Sequence, residues 1–208
     1  MDAFHVRLKV LAALALPLLA WALMAGGAQA ASPAAGPDMA LGNPRARVTV
    51  IEYASVGCPH CAVWARTVFP AFKKKYIDTG KVRFVLREML TGDPALAAAG
   101  FLTARCAAPS KYFQIVEAIF ADQEQIARRG APALLQIAQT AGLSEAQFVA
   151  CLKDEAALKA LTDRTELDAR EHGVNGTPTF FVGSLKLENE QSLAELDAAI
   201  ARARRQQR

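Results

Sequence analysis

The chain has 208 residues, 52% of them hydrophobic and 21% charged, and 24 Lys and Arg against 20 Asp and Glu give a formal net charge of +4. Glycine (13) and proline (10) are ordinary in number, which excludes disorder, collagen-like repeats and low-complexity architectures. The length suits one globular domain, or one domain carrying an insertion.

Arg7 and Lys9 precede an apolar run from Val10 to Ala25, and small residues follow at Ala28-Gln29-Ala30. This is the pattern of a secretory signal peptide, so residues 1–30 are expected to be cleaved after Ala30 and the protein exported to the periplasm. A retained anchor is the competing reading. The run of about 16 residues, interrupted by Pro17, falls short of the roughly 20 a spanning helix needs. Residues 31–46 read as a leader whose first part, Ala-Ser-Pro-Ala-Ala-Gly-Pro, is flexible. Without residues 1–30 the net charge is +3, and Arg202, Arg204, Arg205 and Arg208 supply +4, leaving −1 on residues 31–201. These C-terminal arginines, which run into a basic tail at residues 205–208, therefore set the pI of about 9.0. With no basic stripe interleaved with aromatics, nucleic acid is not an expected partner.

Arg47 to Tyr53 is β-branched and almost continuously apolar, the pattern of a strand buried on both faces, with Glu52 as its single acid. A helix follows Gly57, with Cys61, Trp64, Val68, Phe72 and Tyr76 on one face and a kink expected at Pro70. Val82 to Arg87 reads as a second strand, completing a right-handed parallel βαβ unit. From Pro94 to His172 the pattern is helical, with breaks at Pro109, Gly130 to Pro132 and Gly142. Its expected apolar faces are Leu96, Ala99, Leu102 and Cys106; Tyr112, Ile115, Val116, Ile119 and Phe120; and Leu134, Ile137, Ala138 and Ala141. Ser144 with Gln147 is a capping box, and Gly173 suits the position after the last helix, where His172 reads as a cap. Strands return at Thr179 to Val182 and Leu185 to Leu187, and a second capping box, Ser192 with Glu195, opens the final helix. The expected fold is α/β, with an all-helical insertion at 93–172 between a βαβ unit (47–92) and a ββα unit (173–204).

The four cysteines are unevenly spaced: Cys58 and Cys61 are three apart, whereas Cys106 and Cys151 are separated by 45 positions. In an oxidising compartment an even count suggests disulfides, and two pairs with different roles is the natural first reading. Cys58-Pro59-His60-Cys61 lies where a strand gives way to a helix. With Cys58 at the N-cap and Pro59 at N1, the free N–H groups of His60 and Cys61 point at the Cys58 sulfur. Those donors and the helix dipole stabilise a thiolate, which makes the Cys58–Cys61 disulfide readily reduced and strongly oxidising. His60 acts in the same direction. A structural zinc site needs two further ligands, for which only Cys106, Cys151 and His172 are available, so no metal is expected. Covalent haem requires His at position 62, which is Ala. A purely structural Cys58–Cys61 bridge would restrict few unfolded conformations.

Cys-Pro-His-Cys after a buried strand, a helical block before the hairpin, and Gly176-Thr177-Pro178-Thr179-Phe180-Phe181-Val182 together resemble the DsbA-type thiol oxidoreductases of the thioredoxin superfamily. The resemblance spans roughly residues 40–204. It implies that Cys58 is the exposed nucleophilic cysteine and Cys61 the buried resolving one. Pro178 would be the cis-proline against the active-site disulfide, and Thr177 would offer backbone hydrogen bonds to an extended substrate. Glu52 takes the place of the family's buried acid, with a raised pKa and a role in relaying the Cys61 proton, paired with Lys81 or Arg83. Thr177 departs from the valine of the best-known DsbA enzymes, which leaves the oxidase-versus-reductase balance open. Cys106 and Cys151 are expected to form a stabilising disulfide, two isolated thiols being the alternative.

The resulting expectation is a monomeric periplasmic thiol:disulfide oxidoreductase with no organic cofactor, acting on reduced, newly exported proteins through a mixed disulfide at Cys58. By resemblance, a quinone-coupled membrane partner reoxidises it. The alternatives are a disulfide isomerase or reductase and, from another class, a metal-binding module using the same thiols.

Overall fold

The computed structural model describes residues 38–206, so the expected signal peptide, the first part of the expected leader and the last two residues of the tail lie outside the described residues. Two apolar β-branched runs form the centre of a five-stranded sheet whose strands β1 (Met39–Gly42), β2 (Val48–Ala54), β3 (Val82–Glu88), β4 (Thr179–Val182) and β5 (Leu185–Glu188) lie in the order β1-β3-β2-β4-β5. Strands β2 and β3 pair in parallel, with Val50 opposite Phe84 and Glu52 opposite Leu86. Strand β4 adds antiparallel to β2, and β5 adds to β4. Strand β1 pairs antiparallel with β3, so part of the stretch read as leader belongs to the sheet.

One face of the sheet carries Val48, Val50, Phe84 and Phe180 into the main core, with Glu52 at the equivalent position of β2. The other face holds a smaller cluster of Tyr53, Met89 and Val174. Helix α9 (Leu193–Gln206) turns Leu196, Ala199 and Ile200 into the main core after the Ser192–Glu195 box, both halves of which are formed.

The helix expected to run on from Gly57 breaks earlier than Pro70. Helix α1 spans Pro59–Thr67, and α2 restarts at Phe69–Phe72 before a π turn over Lys73–Ile77. The restart puts Pro70 in the first turn of α2, where its missing N–H costs no hydrogen bond.

Six α-helices and a short 3-10 turn at Pro109–Lys111 lie between β3 and β4. The helices are α3 (Pro94–Cys106), α4 (Tyr112–Ala121), α5 (Gln123–Arg129), α6 (Ala131–Thr140), α7 (Glu145–Leu152) and α8 (Glu155–His172). Helix α4 buries the expected five residues, and the Ser144–Gln147 box opens α7. Gly173 ends α8 in the left-handed conformation, at φ 60°. The α3 face matches expectation only in part. Leu102 is buried and Leu96 and Ala99 are partly buried against the core, but Ala97, Gly100, Phe101 and Ala104 are buried as well, and Cys106 is exposed. Alanine fills this helix on all sides, so hydrophobic spacing alone selects its buried stripe poorly. Cys106 and Cys151 form a disulfide joining the end of α3 to α7.

At the end of β3 the Glu88 carboxylate, fully buried, accepts hydrogen bonds from Arg105 Nε (2.6 and 2.9 Å), the Tyr112 hydroxyl (2.8 Å) and Arg164. Thr165 donates to the Glu88 carbonyl at 3.2 Å. One acid thereby ties α3, α4 and α8 to the sheet.

Candidate active site

Cys58 is the N-cap of α1 (φ −95°, ψ 121°) and Pro59 is N1, as the motif requires. The preceding loop is tightly braced. The Ser55 hydroxyl accepts from Gly57 N–H at 3.1 Å and donates to the Thr91 carbonyl at 2.8 Å, while Asp93 N–H donates to the Gly57 carbonyl at 3.0 Å. Gly57 and Gly92 permit this approach. A Cβ on Gly92, which has φ +73°, would lie 2.2 Å from the Gly57 oxygen, and one on Gly57 would lie 2.2 Å from the Asp93 oxygen.

Cys58 and Cys61 are free thiols in this structure. Cys61 is fully buried, and Cys58 is only 6% exposed, which corrects the expectation of an exposed nucleophile. The cover comes from the far end of the sequence: Cys58 Sγ donates to the Thr177 carbonyl at 3.3 Å. The Thr177–Pro178 peptide is cis, Pro178 is buried, and the Thr177 hydroxyl lies 2.6 Å from that of Thr91.

The two thiols differ sharply in acidity. A hydrogen bond from Cys61 is the largest influence lowering the Cys58 pKa to about 5, against the opposing effect of burial. The Thr177 side chain and the N–H groups of Cys61 and His60 lower it further, although Cys58 Sγ closes no full cap hydrogen bond. Burial pushes Cys61 well above the ordinary thiol value, with Cys58 and Glu52 adding to the effect. Ser55 N–H donates to Cys61 Sγ at 3.5 Å, which offsets this only in part.

Glu52 is 2% exposed, and its Oε1 makes no hydrogen bond. Burial, then the charge on Cys58, raises its pKa to about 8. Neither Lys81 nor Arg83 pairs with it, and the register supplies the reason. Glu52 shares a sheet face with Val82, Phe84 and Leu86, so Arg83 points to the opposite face. Lys81 lies before the strand and is exposed. Glu52 instead lines a small pocket with Trp64, Phe69, Phe84, Phe113 and Glu117.

His60 is exposed and pairs through Nδ1 with Glu190 Oε1 at 2.6 Å, an interaction that raises its pKa. Among the described residues, no three His, Cys, Asp or Glu side chains gather as a metal-binding group, and Cys106 and Cys151 are bonded to each other. His172 ends α8, with Nε2 3.2 Å from Arg87. Sequence reasoning missed Ser55, Thr91, Gln123 and Glu190, all of which touch the loop, the cis peptide or the His60 ring. Only Ser55, three residues before Cys58, offered any local signal.

A family model described as Thioredoxin matches residues 34–202. The chain belongs to the thioredoxin family. Over 169 residues this thioredoxin-family chain is 37% identical to a Rickettsia typhi protein named a protein-disulfide oxidoreductase, covering 80% of this chain and 62% of that one. A similarly named Rickettsia bellii protein is 34% identical, with 80% and 64% covered. The chain thus spans about three fifths of the length of these curated relatives. Among solved structures it is similar to alpha-DsbA1 of Wolbachia pipientis, with 26% identity, a TM-score of 0.73, and 82% of this chain and 94% of that one covered. Oxidised BdbD of Bacillus subtilis shares the fold at 21% identity and a TM-score of 0.71, with 80% and 92% covered. Among the described residues, no helix is long and apolar enough to cross a membrane.

Proposed function

We propose that this thioredoxin-family protein is a thiol:disulfide oxidoreductase that donates a Cys58–Cys61 disulfide to reduced, newly exported proteins. The observation that carries the reading is the pairing of an acidic thiol at a helix N-terminus with a fully buried, weakly acidic one three residues on. A low-pKa cysteine is a good leaving group, so a disulfide containing it is a strong oxidant.

In the oxidised enzyme a substrate thiolate attacks Cys58 Sγ, the bond to Cys61 breaks, and Cys61 leaves as a thiolate. Glu52, its pKa raised, supplies the proton that Cys61 takes up. The substrate's second thiolate then attacks its own sulfur in the mixed disulfide, releasing Cys58 as a stable thiolate. Two electrons pass from substrate to enzyme. Thr177 and Pro178 line the place where the extended substrate sits, and Pro59 and His60 tune the thiolate. No organic cofactor takes part. A quinone-coupled membrane protein is the proposed electron acceptor, the periplasm the proposed compartment and a monomer the proposed working form. Residues 47–92 with 173–204 form the proposed catalytic domain, with 93–172 as its insertion and the Cys106–Cys151 bridge as a structural element of it.

The test is the reduction potential of Cys58–Cys61 in glutathione buffers, alongside oxidation of a reduced unfolded protein with several thiols. A strong oxidase lies near −120 mV and thioredoxin near about −270 mV. A value in the thioredoxin range, with activity on scrambled disulfides instead, would replace the oxidase reading with an isomerase or reductase. Cys58→Ser should abolish activity, and Cys61→Ser, offered a substrate disulfide, should trap the mixed disulfide at Cys58 as the other substrate sulfur leaves as a thiolate.

A further inference from the structure

Gln123, the first residue of α5, reaches out of the inserted helices to the loop that presents Cys58. Its side-chain Nε2 donates to the Val56 carbonyl at 2.7 Å and to the Cys58 carbonyl at 3.1 Å. The side chain is buried, and no charge accompanies it. The Cys58 carbonyl also accepts the first hydrogen bond of α1, from Ala62 N–H at 3.2 Å. The two carbonyls lie on either side of Gly57 in the chain, and the Gly57 carbonyl between them is held separately by Asp93 N–H at 3.0 Å.

We propose that Gln123 is a positioning residue for Cys58: one amide holds the Val56 and Cys58 carbonyls and neutralises their partial charge beside the reacting sulfur. The reasoning is electrostatic as well as geometric. A buried carbonyl oxygen without a donor keeps its full partial charge in a medium of low polarisability, and beside a thiolate that charge is repulsive. The two N–H bonds of Gln123 absorb it. The titratable groups acting on Cys58 are Cys61 and His60 of α1 and Glu52 of β2. Gln123 does not titrate, so its contribution is a fixed dipole at every pH. The insertion thereby acts directly on the chemistry of the thioredoxin layer. This inference rests on Cys58 being the reacting thiol.

The test is a pH titration of Cys58 in the reduced protein, followed by thiolate absorbance and alkylation rate, in wild type, Gln123→Met and Gln123→Glu. Methionine keeps the length without the donors, and glutamate puts an acceptor against two acceptors. The acid dissociation constant of Cys58 should fall about threefold or more in Gln123→Met, a shift of roughly half a pH unit, and further in Gln123→Glu. A folded Gln123→Met protein with a lowered melting temperature but the wild-type titration curve would leave Gln123 a purely structural role and overturn the proposal. Should the variants fail to fold, the side-chain amide resonances of Gln123 in the wild type decide: they should move with the Cys58 titration, and fixed resonances overturn it. A wild-type Cys58 with ordinary acidity would overturn the oxidase reading along with it. A depressed wild-type value unchanged by Gln123→Met counts against Gln123 alone.

Discussion

His60 Nδ1 and Glu190 Oε1 meet at 2.6 Å although 130 residues separate them in sequence. The contact joins the second variable position of the Cys-x-x-Cys motif to the loop between β5 and α9. Hydrogen bonding and charge from Glu190 hold the His60 pKa above its ordinary value. For a histidine with a raised folded pKa, the stabilisation is complete below the unfolded value and lost as pH rises through the folded one. Glu190→Gln should therefore lower the His60 pKa, read from the imidazole proton resonances. The Cys58 titration should move much less, because the variant removes one charge and one proton from a near-neutral pair. An unchanged His60 titration would show the pair to be absent in solution.

The acidity gap between Cys58 and Cys61 sets how many protons accompany reduction. Below pH 5 both thiols take up a proton, and above it only Cys61 does. The reduction potential should fall with pH at about 59 mV per unit below the Cys58 pKa and about 30 mV per unit above it, up to the range where Glu52 titrates. Equilibration with glutathione from pH 3 to 7 measures this directly. A single slope of about 59 mV per unit throughout would mean that Cys58 is not a thiolate near neutrality.

The β-branched runs of β2 and β3, both capping boxes and the Cys58-Pro59 helix start are local patterns, and each was legible because its physics acts over a few residues. Strand β1 was not legible, since Met39 to Gly42 has no sustained alternation and owes its structure to the edge of β3. The cover over Cys58 comes from Thr177, 119 positions away, and the brace from Gln123 spans 65. Such contacts depend on where the topology brings two loops together, which no spacing rule encodes. The lone acid of β2 was visible as a candidate, but only the strand register showed that Arg83 faces away from it.

Glu88 holds three inserted helices on the sheet through Arg105, Tyr112 and Arg164. Glu88→Gln keeps the volume and removes the charge, leaving the Arg105 guanidinium, 7% exposed, without its carboxylate. Breaking a buried pair from one side costs about 3–5 kcal/mol. The variant should therefore show a much lower urea midpoint with an unchanged slope of free energy against denaturant. A loss below about 1 kcal/mol would mean that the cluster is solvated like a surface ion pair.

Glu52 should oppose stability while serving the reaction. Its folded pKa of about 8 lies above the 4.5 of an ordinary glutamate, so the native state binds the proton more tightly. Native stability therefore falls as pH rises from about 4.5 to about 8, by on the order of 3 kcal/mol at pH 7. The depressed pKa of Cys58 works with the opposite sign in the reduced protein: its contribution is present above the unfolded thiol pKa and lost as pH falls through about 5. In the oxidised protein Cys58 carries no charge, which removes the smaller of the two causes raising Glu52 and leaves burial, the larger. Urea unfolding of the oxidised protein across pH 4 to 9 thus isolates the carboxyl group. Glu52→Leu should flatten that profile and stabilise the protein at pH 7, because it also removes the unpaired Oε1 from the main core. The same variant should slow reduction of the Cys58–Cys61 disulfide by a dithiol, since Cys61 then leaves without a nearby proton donor. Stability profiles that run parallel in wild type and Glu52→Leu would place the carboxyl in contact with solvent. A wild-type reduction rate in Glu52→Leu would assign the Cys61 proton to another donor.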